Sequence, residues 1–70
     1  MKNFEQWVIK NKKFLEKENI FLSKNQIEMC KKVLSAVNTY NEFFNRFGTV
    51  IGTSEIITAL SYYYQERENV

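Results

Sequence analysis

Apolar positions between Ser23 and Gly48 recur at helical spacing and predict one long central helix. At 100° per residue, these side chains fill an arc of roughly 200°, about twice the width that one packed neighbour needs. Ser23 and Gln26 match a capping box, so the helix should begin there. Gly48 can adopt the left-handed conformation that closes a helix. We therefore expect a helix over about residues 24–47 that packs against neighbours on two sides.

Shorter apolar patterns lie on both sides of this segment and predict two further helices. The first covers about residues 3–18 and begins at an Asn3 N-cap, with an apolar face of ordinary width. The other covers about residues 54–67 and takes Thr53 or Ser54 as its N-cap. The fold class that follows is all-α: a small three-helix bundle with a long central helix.

The segment 19–22 joins the first two predicted helices. It is too short to distinguish a short strand from a buried connector, and both interpretations stay open. The sequence contains no repeat, linker or low-complexity stretch, so residues 1–70 are predicted to form a single helical domain. A core of this size rarely supplies more than ~3–5 kcal/mol, so we expect a homo-oligomer or a standing partner.

The amino-acid composition excludes most catalytic chemistry. Histidine and aspartate are both absent from the chain. This removes the usual general base, most metal sites and any Ser-His-Asp arrangement, so we expect no enzyme, no cofactor and no metal. The single cysteine, Cys30, is predicted to be a small buried hydrophobe in a reducing compartment.

The hydropathy pattern indicates a cytoplasmic protein. No apolar run approaches the ~20 residues that a membrane helix needs. The N-terminal residues are followed by charged ones and not by the apolar segment of a signal peptide. We therefore expect no membrane association.

Aromatic residues are more numerous than a thin neighbouring layer can cover. Tyr40, Phe43 and Phe47 fall in the last turns of the predicted central helix. Their excess indicates an exposed apolar patch or a dimer seam. Tyr62 projects from the polar side of the third helix, and tyrosine is enriched at binding hot spots. These four residues are our predicted protein contacts.

Lysines form a stripe on the first predicted helix. Lys10, Lys13 and Lys17 follow one another at spacings of three and four residues. Such a stripe is either a solvated helix face or an electrostatic rim for an acidic partner. Residues 1–32 hold eight lysines and four glutamates (+4), whereas residues 33–70 hold two arginines and four glutamates (−2). This asymmetry can steer partners towards the basic part.

One local pattern resembles a DNA-binding family. The helix that opens Thr53-Ser-Glu-Ile-Ile-Thr-Ala-Leu resembles the second helix of ribbon–helix–helix repressors. The resemblance implies a dimer whose paired strands lie in the DNA major groove. The strand would then present Asn19, Phe21 and Ser23 outward, which departs from the polar and basic readers of that family.

Two functional hypotheses follow from these patterns. The first is a small non-enzymatic protein-interaction module that acts as a regulator, adaptor or inhibitor by occluding a surface of a target protein. Its size suits the small regulators that phages and mobile elements carry. The alternative is a dimeric DNA-binding regulator with a ribbon–helix–helix-like core, whose binding would weaken steeply with salt.

Overall fold

The computed structural model describes residues 3–69, so Met1, Lys2 and Val70 of the predicted domain lie outside the described residues. The described chain is all-α, which confirms the predicted fold class. Its helices are α1 (Phe4–Lys10), α2 (Lys12–Lys17), α3 (Lys24–Ala36), α4 (Tyr40–Phe47) and α5 (Glu55–Glu68), with a 3₁₀ turn at Gly48–Val50. None of these helices has the length and hydropathy that a bilayer-spanning segment requires.

The predicted N-terminal caps are present. The Asn3 side chain accepts from the backbone N–H of Gln6 at 2.8 Å. Ser23 and Gln26 form both bonds of the capping box, at 3.2 and 2.7 Å. Ser54 caps α5. Local hydrogen-bonding chemistry therefore sets where three of the helices begin, as the sequence predicts.

The predicted first helix is present as two pieces that meet at Asn11. The backbone there has φ −104° and ψ 22°. The Asn11 N–H nevertheless donates to the Trp7 carbonyl at 3.0 Å, and the Leu15 N–H donates to the Asn11 carbonyl at 2.9 Å. The i→i+4 bonding thus passes through the joint, so α1 and α2 remain nearly one helical path.

The predicted continuous helix over 24–47 is wrong, because the chain is extended between α3 and α4. Val37 has φ −123° and ψ 119°, and Thr39 has φ −122° and ψ 158°. Thr39 is the N-cap of α4, and its hydroxyl accepts from the Glu42 N–H at 3.1 Å. A second helix, α4, therefore begins inside the predicted one.

The last turns of α5 satisfy backbone groups that the break releases. The Tyr64 hydroxyl donates to the Val37 carbonyl oxygen at 2.6 Å. The Arg67 guanidinium donates to the Asn38 carbonyl oxygen at 2.6 Å. The break is therefore held by tertiary hydrogen bonds, because its carbonyls have donors on another helix.

The left-handed backbone positions differ from the predicted one. Gly48 is right-handed (φ −56°, ψ −34°) and does not close a helix in the left-handed conformation, so that prediction is wrong. A Cβ at Gly48 would lie 3.1 Å from the Phe44 ring. The left-handed residues described are Asn19 (φ 63°) and Gly52 (φ 94°). The segment 19–22 is a connector without strand pairing.

The element around which the others pack is α5 and not the predicted central helix. Buried residues of α3 and α4 are Cys30 and Phe43 alone within the described chain. Those of α5 are Ala59, Leu60, Ser61, Tyr63 and Tyr64. Rings of α5 contact rings of α1, α2 and α4, which buries large aromatic areas along one helix.

Candidate functional site

The predicted aromatic contacts on α4 belong mainly to the core. Phe43 is 0% exposed and lies between Phe47 and Tyr64, with ring centroids 5.3 and 4.8 Å away. The prediction of Phe43 as a partner contact is therefore wrong, because its ring is covered by its own chain. Tyr40 and Phe47 are half-buried around it and stay predictions as contacts. Their neighbour Phe44 is instead 50% exposed.

Tyr62 joins α5 to α2 and is half-buried. Its ring meets Phe14 edge to face, with centroids 5.0 Å apart. Its hydroxyl donates to the Glu18 carboxylate at 2.9 Å. This hydrogen bond raises the pKa of Tyr62, so the phenol remains a protonated donor at neutral pH. As a partner contact, Tyr62 stays a prediction.

The lysine stripe remains available to a partner. Lys10, Lys13 and Lys17 are exposed and form no ion pair with any residue between 3 and 69. Lys31, by contrast, pairs with Glu5 at 2.7 Å and lowers the pKa of that carboxyl through the hydrogen bond. The charge of the stripe is therefore uncompensated by fixed neighbours, as an electrostatic rim requires.

An apolar groove, which the sequence analysis did not identify, opens beside this stripe. It has a volume of about 200 Å³ and lies between α1, α2 and the connector. Ile9 and Phe21 on its lining are 71% and 57% exposed. The lining of this apolar groove consists of Val8, Ile9, Lys12, Leu15, Glu16, Ile20, Phe21 and Leu22.

The connector positions Phe21 through its backbone. Left-handed Asn19 follows the end of α2, and in the connector after it Ile20 is 5% exposed whereas Phe21 is 57% exposed. The Phe21 N–H donates to the Glu55 carboxylate at 2.8 Å, which ties the connector to the start of α5. Ile20, Phe21 and Leu22 are all apolar, so no pattern in the sequence distinguished the exposed ring from the buried Ile20.

Reactive groups are few in the part of the chain that the structure describes. Cys30 is fully buried, and desolvation raises its pKa to about 12, so the thiol stays protonated at neutral pH. No group of three acidic or cysteine side chains within residues 3–69 converges to hold a metal ion. The chemistry that the surface offers is apolar and electrostatic contact.

The fold and this surface together define a small all-α bundle with an exposed apolar groove beside a basic helix face. No protein-family model matches the chain, no curated protein matches its sequence, and no solved structure matches its fold.

Proposed function

We propose that this protein is a small non-enzymatic interaction module that regulates a target protein by covering part of the target's surface. The observation that carries the proposal is the pair of exposed side chains, Ile9 and Phe21, on the lining of the apolar groove. The occupant is a helical segment of the target with one aliphatic or aromatic anchor and acidic residues beside it. Such helix-in-groove binding uses a few anchors for most of its affinity.

Apolar surface at the groove is incompletely buried within the chain. Complete burial of an Ile or Phe side chain contributes about 1.5–3 kcal/mol. Ile9 and Phe21 realise less than half of that gain within their own chain, since more than half of each is exposed. An anchor placed between them would bury both side chains and exclude water from the groove.

The exposed lysines of α1 and α2 favour an acidic rim on the target. Lys10, Lys13 and Lys17 lie on the same two helices as the groove and are not paired within residues 3–69. Exposed charges of this kind mainly accelerate association and fix orientation, and salt screens them. Binding should therefore weaken moderately with salt but persist, since the apolar anchors do not depend on ionic strength.

The DNA-binding alternative has no supporting observation. A ribbon–helix–helix dimer pairs strands through their backbone N–H and C=O groups. Residues 19–22 form no strand, and the Phe21 N–H is bonded to Glu55.

Self-association through other faces stays a separate prediction, which solution mass over a concentration series tests. Action in the cytoplasm, as a regulator of the kind that phages and mobile elements encode, is part of the proposal.

A comparison of three surface variants tests the proposal. Wild-type protein is expected to retain a stoichiometric partner from lysate of its source cells and to inhibit or alter that partner's activity once both are purified. Ile9→Ser and Phe21→Ser should each weaken this binding by about tenfold or more. Phe44→Ser is the matched control, because Phe44 is 50% exposed but lies outside the groove.

Three results would contradict binding at the groove. Equal affinity of wild-type protein and the two groove variants, with unfolding temperatures unchanged, would show that the groove does not contact the partner. Loss of binding in Phe44→Ser alone would move the interface to α4. Binding that disappears at moderate salt in every variant would indicate a purely electrostatic interaction.

A further inference from the structure

The break between α3 and α4 (residues 37–39) does not shift the helical register of the apolar side chains. Spacings of three and four residues alternate from α3, through the break, to the end of α4. Asn38 and Thr39, the polar residues of the break, fall outside this apolar row. Such an unshifted alternation is typical of one continuous helix with a packed seam. The apolar row consists of Cys30, Val33, Val37, Tyr40, Phe44 and Phe47.

The bent chain buries only part of the apolar row. Cys30 and Val37 are buried, whereas Phe44 is 50% exposed. Phe44 follows Val37 by seven residues, so the two side chains would lie on the same face of a straight helix, about two turns apart. The buried Phe43 would point roughly 120° away from them. A straight helix would therefore carry two apolar sides, one at Phe43 and one at the apolar row.

The last turns of α5 hold the break closed. Tyr64 and Arg67 donate to its carbonyl oxygens, and the Glu68 carboxylate accepts from the N–H of Tyr40, the first residue of α4. The Tyr64 ring also packs against Phe43, with centroids 4.8 Å apart. α4 and α5 therefore form one packed unit, which the chain connects to α1–α3 through the break.

We propose that two copies of this chain form a dimer in which α3 and α4 join into one straight helix and the copies exchange their α4–α5 units. Each α5 then packs against α1, α2 and α3 of the other copy. The ring contacts that its tyrosines make with Phe4, Trp7 and Phe14 re-form between the two chains. Exchange of this kind is a low-cost route to a dimer, because most contacts of the monomer are kept.

The dimer satisfies apolar surface that the bent chain leaves exposed. The apolar arc of residues 24–47 is roughly 200° wide and needs neighbours on two sides of a straight helix. In the dimer, the chain's own α5 covers the side of Phe43, and the other copy's α5 covers the side of Cys30 and Val37. Phe44 is then buried beside Val37. The carbonyls of the break accept from backbone N–H groups of the straight helix instead of from α5.

Solution mass and NMR together test this exchange on the intact protein. After refolding, we expect a monomer at micromolar concentration and a rising dimer fraction towards millimolar concentration. Trp7 is the single tryptophan, and its ring lies 5.4 Å from that of Tyr63. In a dimer of isotope-labelled and unlabelled chains, these two rings should give a nuclear Overhauser effect between chains, because α1 and α5 in contact then belong to different copies.

Variants at the break should shift dimerisation in opposite directions. Asn38→Ala, at an exposed position, favours the straight helix and should strengthen dimerisation about fivefold. Tyr40→Pro fits the first position of α4 after extended Thr39 but breaks a continuous helix, so it should weaken dimerisation about a hundredfold or more. Tyr40→Ala is its matched control, because it removes the same ring but keeps the N–H, and it should dimerise much more tightly than Tyr40→Pro.

Phe44 reports on the second side of the straight helix. Phe44→Ala should weaken dimerisation about tenfold, because both copies lose a ring that the dimer buries. Ile9→Ala is the matched control, since Ile9 is exposed on α1 and lies outside the apolar row, and it should dimerise like wild-type protein.

The opposite results would overturn the proposal. A chain that stays monomeric up to millimolar concentration would do so. A dimer whose Trp7–Tyr63 effect stays within each chain would show that the copies meet without exchange. Equal dimerisation of Tyr40→Pro and Tyr40→Ala would show that the break persists in the dimer. The lining of the apolar groove lies within residues 8–22 of one chain, so none of these results bears on that site.

Discussion

Tyr64 of α5 contacts both α4 and the break between α3 and α4 through one buried side chain. Its ring is fully buried against Phe43, and its hydroxyl donates to the Val37 carbonyl oxygen at 2.6 Å. Burial raises the pKa of Tyr64, so the hydroxyl remains protonated at neutral pH and can donate. A single oxygen atom therefore keeps a buried carbonyl satisfied where α3 ends.

Removal of the Tyr64 hydroxyl should destabilise the fold. We expect Tyr64→Phe to lower the free energy of unfolding by about 1–3 kcal/mol, because the Val37 carbonyl would lose its partner without regaining water. Urea denaturation followed by circular dichroism measures the change. Tyr62→Phe is the matched control and should cost less than about 1 kcal/mol, since its partner Glu18 is exposed. Equal losses in both variants would contradict this assignment.

Two adjacent residues of α4 show that the sequence does not reveal which of two identical side chains is buried. Phe43 and Phe44 have the same side chain and both fall in the apolar arc of the predicted central helix. One is 0% exposed and the other 50%. Hydrophobicity predicts that such residues favour the interior, but which ring finds a neighbour depends on where α5 lies.

At the scale of elements, the break between α3 and α4 is the main difference from the predicted bundle. Its signal was present in the sequence, because Thr39 and Glu42 have the spacing of a capping box, and Val37, Asn38 and Thr39 are poor helix formers. Apolar periodicity obscured this signal, since each half keeps the helical period. The Glu68 carboxylate also accepts from the N–H of Tyr40, the first residue of α4, so α5 contacts the break repeatedly.

The cap of α4 can be tested directly. We expect Thr39→Ala to lower the free energy of unfolding by about 0.5–2 kcal/mol, because the Glu42 N–H would lose its acceptor. Ser35→Ala on α3 is the control, since its exposed hydroxyl donates to a carbonyl within its own helix, and it should stay within about 0.5 kcal/mol. Denaturant titration provides the comparison. A stabilised and more helical Thr39→Ala would show that α3 and α4 fuse when the cap is removed.

At the scale of the whole molecule, α5 carries the stability of a small core. Its buried residues contact the other helices, and rings of α1, α2 and α4 pack against its tyrosines. Chains of this length have a core that supplies only ~3–5 kcal/mol. The loss of one fully buried ring is therefore comparable to the entire stability of the fold.

The two phenylalanines of α4 provide a matched test of this margin. We expect Phe43→Ala to cost about 3–5 kcal/mol and to leave the chain largely unfolded at room temperature. Phe44→Ala should cost less than about 1 kcal/mol, because half of the residue is already exposed. Thermal unfolding by circular dichroism distinguishes them. A cooperative transition near the wild-type temperature in Phe43→Ala would contradict the assignment of Phe43 to the core.

The sequence by itself determined the all-α class, the starts of α1, α3 and α5, and the burial of Cys30. These features depend on side chains a few residues apart, such as Ser23 with Gln26, or on periodicity within one helix. It also indicated the exposed lysine face, although not the apolar groove beside it.

Only the tertiary structure decided that α5 is the central element, that the chain bends at Val37 and that Phe21 is exposed. Each of these depends on contacts between residues far apart in the chain: Tyr64 with Val37, and Glu55 with Phe21. Such contacts leave no periodic signature, because they are determined by which surfaces meet when several helices compete for one small core.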